Sequence, residues 1–322
     1  MATETPIEVL EPKRRSPLAN FFYRLVKEQP LGLIGGLIVL VLLFVGIFAD
    51  QLAQYGENEI DLYARLKPPH AKHWLGTDNL GRDLFTRIVY GARVSLVIGV
   101  SATAVSLLVA LVVGGLSGFI GGKTDLIVQR FVDAWVAFPG LLILLTAMSM
   151  LGNGQLQIII VVGITFGIGG SRIVRSTVIG LKENTYIEAT RAIGTPLPRI
   201  LLRHVLPNIM PPLIIIYTVT LGGVILTEAA LSFLGFGLPP DRASWGGMLS
   251  NEGRQYMEKA PHLALWPGLS LVIVVFGVNL FGDALRDLLD PRLRGGVGRY
   301  GGGPKVIRKR SLLIRLLFPY KK

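Results

Sequence analysis

Apolar residues fall along this chain in six long runs parted by polar or glycine-rich stretches: residues 31–49, 94–120, 126–150, 156–170 and slightly beyond, 209–236 and 263–281. A helix needs roughly 20 apolar residues to cross a bilayer core about 30 Å thick. The pattern therefore predicts an all-α membrane protein with six transmembrane helices. Before the first run, Leu18, Phe21, Phe22, Leu25 and Val26 recur at helical spacing against Arg24, Lys27 and Glu28. That pattern predicts an amphipathic helix lying on the membrane surface. The organisation expected is a leader over 1–30, a first span over 31–49, a loop over 50–93, a transmembrane core over 94–290 and a basic tail over 291–322. Glycines repeat at contact spacing within the core, Gly114, Gly118 and Gly122, then Gly163, Gly167 and Gly170. Small residues let helix backbones approach closely in lipid, so these are expected to be packing sites.

Between the fourth and fifth runs lies TYIEATRAIGTPLPRILLRHVLPN, residues 185–208, a polar insert with strong helix grammar. Thr185 and Glu188 have capping-box spacing and predict a helix start near Tyr186. Gly194 can take the left-handed conformation that ends a helix, and Thr195 with Pro196 would open a second one at once. Local grammar thus predicts helix, sharp turn, helix. A connector and a transmitter to another protein remain equally open on that grammar alone.

Apolar and aromatic residues make up 51% of the 322, charged residues 17%, and the mean hydropathy is +0.53. Lys and Arg are concentrated before the first run, between the fourth and fifth, and after the sixth. With six spans, 24 of the 33 fall on one face, which places both termini and the 185–208 insert in the cytoplasm. The net charge of +12 follows from this orientation and from anionic lipid, and no nucleic-acid fold signature accompanies it. The leader is too long and mixed for a signal peptide, so the first run is expected to remain as an anchor. The final stretch, VIRKRSLLIRLLFPYKK, suits either the inner membrane surface or a solvated tail.

Catalytic patterns are missing. No phosphate-binding G-x-x-x-x-G-K-[ST] occurs, so this chain is not expected to hydrolyse ATP itself. His70 and His73 lack a third ligand at useful spacing and are expected to be a surface pair. There are no cysteines. Asp133, Glu228 and Asp283 stand in apolar context. Asp133 and Asp283 lie near span boundaries, whereas Glu228 is well inside the fifth run, either packed against a neighbouring span or in a polar path. In the 50–93 loop, GTDNLGRD sets Gly76, Thr77, Asp78, Gly81, Arg82 and Asp83 near Arg87 and Arg93. This predicts an ion-pair lattice that fixes loop geometry at a wet surface, where each pair contributes about 0–1 kcal/mol.

The insert resembles the EAA loop of bacterial ABC importer permeases: Glu-Ala-Ala, three residues, Gly, nine residues, Ile, one residue, Leu-Pro. Glu188, Ala189, Gly194, Leu206 and Pro207 fall in register, while Thr190 and His204 depart from it. Glu228-Ala229-Ala230 repeats the letters, yet Leu234 stands where the Gly belongs. With GTDNLGRD, SWGGML at 244–249 and GDALRDLLDPRLR at 282–294, the chain resembles the C-type permease of the oligopeptide and dipeptide importer family over about residues 17–294.

The resemblance implies a multi-pass protein of the bacterial inner membrane. It also implies a homologous B-type permease, cytoplasmic ABC ATPase subunits and an extracytoplasmic binding protein as partners. ATP and magnesium would belong to the ATPases, with no cofactor on this chain. The implied coupling stretch is Tyr186, Ile187, Glu188, Ala189, Thr190, Arg191, Ile193 and Gly194, within a loop over 184–208 that ends at Leu206 and Pro207. Tyr186, Ala189, Thr190 and Ile193 would face the ATPase, with Glu188 and Arg191 at the rim. The implied cargo is a peptide, with nickel, glutathione or an oligosaccharide as alternatives. From another class, a self-contained ion-coupled carrier would show internal repeats, and none of fixed period is evident.

Overall fold

A computed structural model of the chain describes residues 17–289, and these form one unit. The described residues are mostly helical, with a single isolated bridge, Thr77 to Asp83, in place of any strand. Among the described residues five helices are long and apolar enough to cross a membrane, and a bent helix pair makes a sixth span if it counts as one. Their outward faces are apolar: Leu37, Leu40, Phe44, Leu108, Val272 and Phe276 are all exposed. In lipid this is the expected surface, since the backbone groups are satisfied inside each helix.

Helix α1 (Pro17–Glu28) precedes α2 (Pro30–Ile47), where Pro30 sits at a helix start that has no use for its missing N–H. Leu25 of α1 is buried in a small cluster with Ala284 and Leu288. Glycines bring α2 against the last helix, for a Cβ at Gly35 would stand 2.6 Å from the Gly277 carbonyl oxygen. The first and last spans are thereby joined along their length.

Helix α3 (Leu84–Ile120) begins ten residues before the expected 94. Asp83 caps it by accepting the Thr86 N–H at 2.8 Å, so Arg87, Tyr90 and Arg93, expected in the loop, lie on the helix. The charges hid this start because they interrupt the apolar run without interrupting the backbone ladder.

The third run is not one straight span. It is α4 (Gly122–Ala137) and α5 (Gly140–Leu151), bent by 88° at Phe138 and Pro139. Proline disfavours helical geometry in the residue before it, and Phe138 is extended (φ −82°, ψ 142°).

Helix α6 (Gln155–Lys182) packs on α3 through the small residues. A Cβ at Gly163 or Gly167 would press within 2.6 Å of Val105 or Val109, and one at Gly114 would overlap the Ser171 carbonyl oxygen. Gly118 is similarly close, with the Arg175 carbonyl oxygen at 3.0 Å. Gly170 is at ordinary distance, and Gly122 packs on nothing but turns the chain with φ +58°. Packing therefore accounts for four of the six glycines.

After the short α7 (Thr185–Ala192), α8 (Leu197–Phe233) runs unbroken through Pro207, Pro211 and Pro212, and α9 (His262–Leu289) closes the bundle. A π turn at Leu201–Val205 widens the ladder just before Pro207, whose ring would otherwise crowd the carbonyl of Arg203. The fifth span thus starts twelve residues before the expected 209. The second helix of the insert is not a separate element but the first turns of α8.

Candidate functional site at the two ends of the bundle

At one end, α7 stands between α6 and α8. Its start differs from the expected capping box: Asn184 is the cap residue, Thr185 is already helical, and no side chain caps the free N–H groups. Helix α7 begins one residue sooner than the Thr185–Glu188 spacing implied. Its end is as expected. Gly194 has φ +74°, its N–H donates to the Arg191 carbonyl at 2.9 Å, and Thr195 N–H donates to the Thr190 carbonyl at 3.1 Å. This pair of bonds closes a helix through a left-handed residue. The next helix opens at Leu197 with Pro196 extended before it, one residue later than expected.

Burial divides the coupling residues into two sets. Ile187 is wholly buried with Phe119, Val174, Val178, Ile200 and Val205, so it anchors α7 to its own chain and is not available to a partner. Tyr186, Glu188, Ala189, Arg191, Ile193 and Gly194 are exposed, with Ile193 at 80%, and Thr190 is half-buried. The outward side is a compact patch of Tyr186, Ala189 and Ile193, edged by Glu188. Leu206 and Pro207 lie inside α8. His204, the departing position, sits in the π turn, where its carbonyl accepts from the Asn208 amide at 2.6 Å.

At the other end, the ion-pair lattice is buried, contrary to its expected place at a wet surface. Asp78, Arg82, Asp83 and Arg87 are each no more than 6% exposed, and Thr77 not at all. Asp78 accepts the backbone N–H groups of Leu80 and Arg82, which fixes the turn, and the Arg82 side chain at 2.6 Å. Arg82 reaches on to Glu252 at 2.7 Å, in the segment between α8 and α9. Arg87 stands 3.9 Å from Asp78. Thr77 donates to the Ala64 carbonyl and accepts from Lys67 N–H. Gly76 (φ +87°) and Gly81 (φ +80°) allow the turns, and a Cβ at Gly81 would overlap the Asp61 carbonyl oxygen. Burial pushes the Glu252 carboxyl above the usual range; Arg87 and Arg82 oppose this and Asp78 adds to it. Glu252 was invisible to motif reasoning, since no spacing connects it to a turn 170 residues earlier.

His73 is also buried, contrary to its expected place at the surface, although it does pair with His70, whose ring meets it edge-on at 5.2 Å. The His73 Nδ1 lies 2.9 Å from Asp83 Oδ1, and its ring stacks on Tyr55 at 4.8 Å. Asp50 is one of the exposed charges at this end. Hydrogen bonds from Arg93 and then Tyr90 hold it below the ordinary carboxylate range. The SWGGML segment packs against the start of α3: Trp245 is buried and donates its indole N–H to the Ile88 carbonyl at 3.1 Å. A Cβ at Gly91 would lie 2.7 Å from that indole. Glu228 is closed off from every surface, one carboxylate oxygen accepting from Ser232 at 2.8 Å and the other without a hydrogen bond. Asp133 is half-exposed and paired with Arg172 at 2.7 Å, and Asp283 is exposed.

A family model described as binding-protein-dependent transport system inner membrane component matches residues 110–295. A second, the N-terminal TM domain of oligopeptide transport permease C, matches residues 16–69. The chain belongs to this permease family. The glutathione transport system permease protein GsiD of Pectobacterium atrosepticum is 39% identical over 282 residues, 87% of this chain and 93% of that protein. The oligopeptide permease OppC of Bacillus subtilis is 40% identical over 268 residues, covering 83% and 88%. The dipeptide permease DppC of Alkalihalophilus pseudofirmus is 39% identical over 279 residues, covering 87% and 91%. A chain of the MetNI methionine ABC transporter in an inward-facing conformation shares the fold, with TM-score 0.50 and 20% identity over 63% of this chain and 96% of that one.

As a member of the permease family, the protein is a multi-pass inner-membrane subunit of an ABC importer. The family's machines include an ATPase and a substrate-binding protein. The permease has two ends of different character: an exposed apolar patch on a helix clamped by Ile187, and a buried ionic knot that ties the 50–83 segment to the 249–253 turn.

Proposed function

We propose that this permease forms half of a translocation pathway for peptides, with a homologous B-type permease forming the other half. An extracytoplasmic binding protein delivers the cargo at the end that carries the buried lattice. ABC ATPases, which carry ATP and magnesium, grip the exposed patch of α7. The protein itself catalyses nothing. Both termini and α7 lie in the cytoplasm, as the distribution of Lys and Arg favours when the bent pair α4–α5 counts as one span.

The observation that carries the reading is the two-sidedness of α7, Ile187 fully buried and Ile193 80% exposed, in a helix of 8 residues closed by Gly194. A helix held on one side and apolar on the other suits a groove on a partner, and a lodged helix transmits rigid-body motion. Peptide cargo rests on the similarity to OppC and DppC. Glutathione is the second reading, supported by equal identity to GsiD. Glutathione is itself a tripeptide, so the two readings share a chemical class.

Ile193→Asp tests the grip. It places a charge on the exposed patch without touching the bundle, and is expected to weaken retention of the ATPase by at least ten-fold and to abolish uptake. Co-purification of the tagged complex measures the first, and vesicle uptake of a labelled dipeptide the second. Unchanged retention and uptake would show that α7 is only a connector. ATP-independent transport by the purified chain alone would establish the carrier reading instead.

A further inference from the structure

Two cations converge on one aromatic ring where α7 meets the bundle. Phe119 lies in the last turn of α3 and is 4% exposed. The Arg191 guanidinium carbon stands 4.6 Å from its ring centroid, and the Lys182 ammonium, at the end of α6, stands 5.9 Å from it. Ile187 belongs to the same apolar cluster. Beyond Phe119 the chain turns through Gly121 (φ +73°) and Gly122 (φ +58°) into α4. Arg175 of α6 then holds α4 by a two-pronged bond to Asp125, at 2.6 and 2.5 Å. Phe119 thus stands at the joint between the second span and the bent third one. One turn before it, the π turn Leu111–Gly115 interrupts the regular ladder of α3.

We propose that Phe119 is a positioning residue for energy coupling. Its ring face is the seat by which a displacement of α7 moves the end of α3 and, through the glycine turn, the bent third span. The proposal rests on the reading of α7 as the ATPase contact. Ile187 supplies non-directional burial, which tolerates sliding. The cations over the ring add a directional contact that keeps α7 in register with α3, because the attraction falls away as the charge leaves the ring face. An apolar side chain of similar size would fill the same space and lose that register.

The test uses the complete complex in lipid nanodiscs and reads the ratio of binding-protein-stimulated to basal ATP hydrolysis. Phe119→Leu is expected to lower that ratio about two- to five-fold, the factor given by about 0.5–1 kcal/mol of cation–π attraction at 1.4 kcal/mol per decade. Phe119→Tyr, which keeps the ring face, is expected to restore it. Combined with Arg191→Gln and Lys182→Gln, Phe119→Leu is expected to lower the ratio no further than those two substitutions do together, because they already remove the contacts that the ring makes. A wild-type ratio for Phe119→Leu, effects that multiply in the combined variant, or failure of Phe119→Leu to assemble would each overturn the proposal; the last would make the ring a packing element. Failure of the underlying reading is separate: Ile193→Asp would then leave the ATPase bound and stimulated, whatever Phe119→Leu does.

Discussion

Removing Arg82 probes whether the lattice beside the 50–83 segment is structural in the way its burial implies. Arg82→Met deletes a cation that bonds Asp78 at 2.6 Å and Glu252 at 2.7 Å, with the Arg82, Asp78 and Glu252 side chains at most 9% exposed. Two buried carboxylates are left facing one remaining cation, Arg87, which is 3.9 Å from Asp78 and has no hydrogen bond at Nε or Nη1. Breaking a buried, hydrogen-bonded pair costs about 3–5 kcal/mol, mostly the penalty of the charge left behind. That is roughly two to four decades in the opening equilibrium of this end of the bundle. Arg242→Met serves as the comparison: its side chain is 65% exposed and its nearest carboxylate, Glu57, is 3.7 Å away, so it should cost about 0–1 kcal/mol. Hydrogen exchange of the complex in nanodiscs reads the difference at peptides covering residues 76–83 and 249–253. Arg82→Met is expected to raise exchange at both segments by at least a hundred-fold, and Arg242→Met at neither by more than about five-fold. Equal and small effects would refute the reasoning, and would mean that water enters the lattice and screens it.

Two further outcomes follow from the same geometry. Gly114→Ala should loosen the α3–α6 contact by about 1–3 kcal/mol, because its Cβ would overlap the Ser171 carbonyl oxygen and backbone cannot yield as a side chain does. Gly170→Ala, whose nearest neighbour would be 3.9 Å away, should be close to neutral, and thermal stability of the purified protein in detergent distinguishes the two. Burial raises the Glu252 carboxyl, so the folded state holds that proton more tightly than the unfolded chain does. Its contribution is therefore full below the ordinary carboxylate range and is lost as pH rises through the higher folded value. Stability measured against pH should slope downward there, and Glu252→Gln should flatten that slope; an unchanged slope would assign it to another group.

The sequence showed much of this architecture because the properties involved are local. Six apolar runs located the spans, since burial in lipid needs only length and composition. Gly194 was legible as a helix end because only its own backbone must turn left-handed. The helix start at Leu84 was not legible, for it lies beyond the apolar run in charged sequence whose helicity the ladder tolerates; the start at Leu197 was read to within one residue, but not its continuation into the fifth span. The break at Phe138 and Pro139 was written in a single proline, yet hydropathy alone ran straight through it. The resemblance marked out residues 186–194 as one stretch, but nothing in it separated the buried Ile187 from its exposed neighbours.

Sequence alone thus determined that the chain crosses a membrane, where its helices run to within a turn or a few, and which insert carries the family's signature. Hydrophobic transfer and helix capping act over a few residues, so a linear string records them. Tertiary structure decided which charges are buried and which face of α7 is free. It joined Arg82 to Glu252 across 170 residues, turned Ile187 inward and left Ile193 outward, and set Arg191 over Phe119. Those outcomes depend on where distant segments come to rest against each other, and the energy of a charge or an apolar side chain is fixed by that surrounding rather than by its neighbours in sequence.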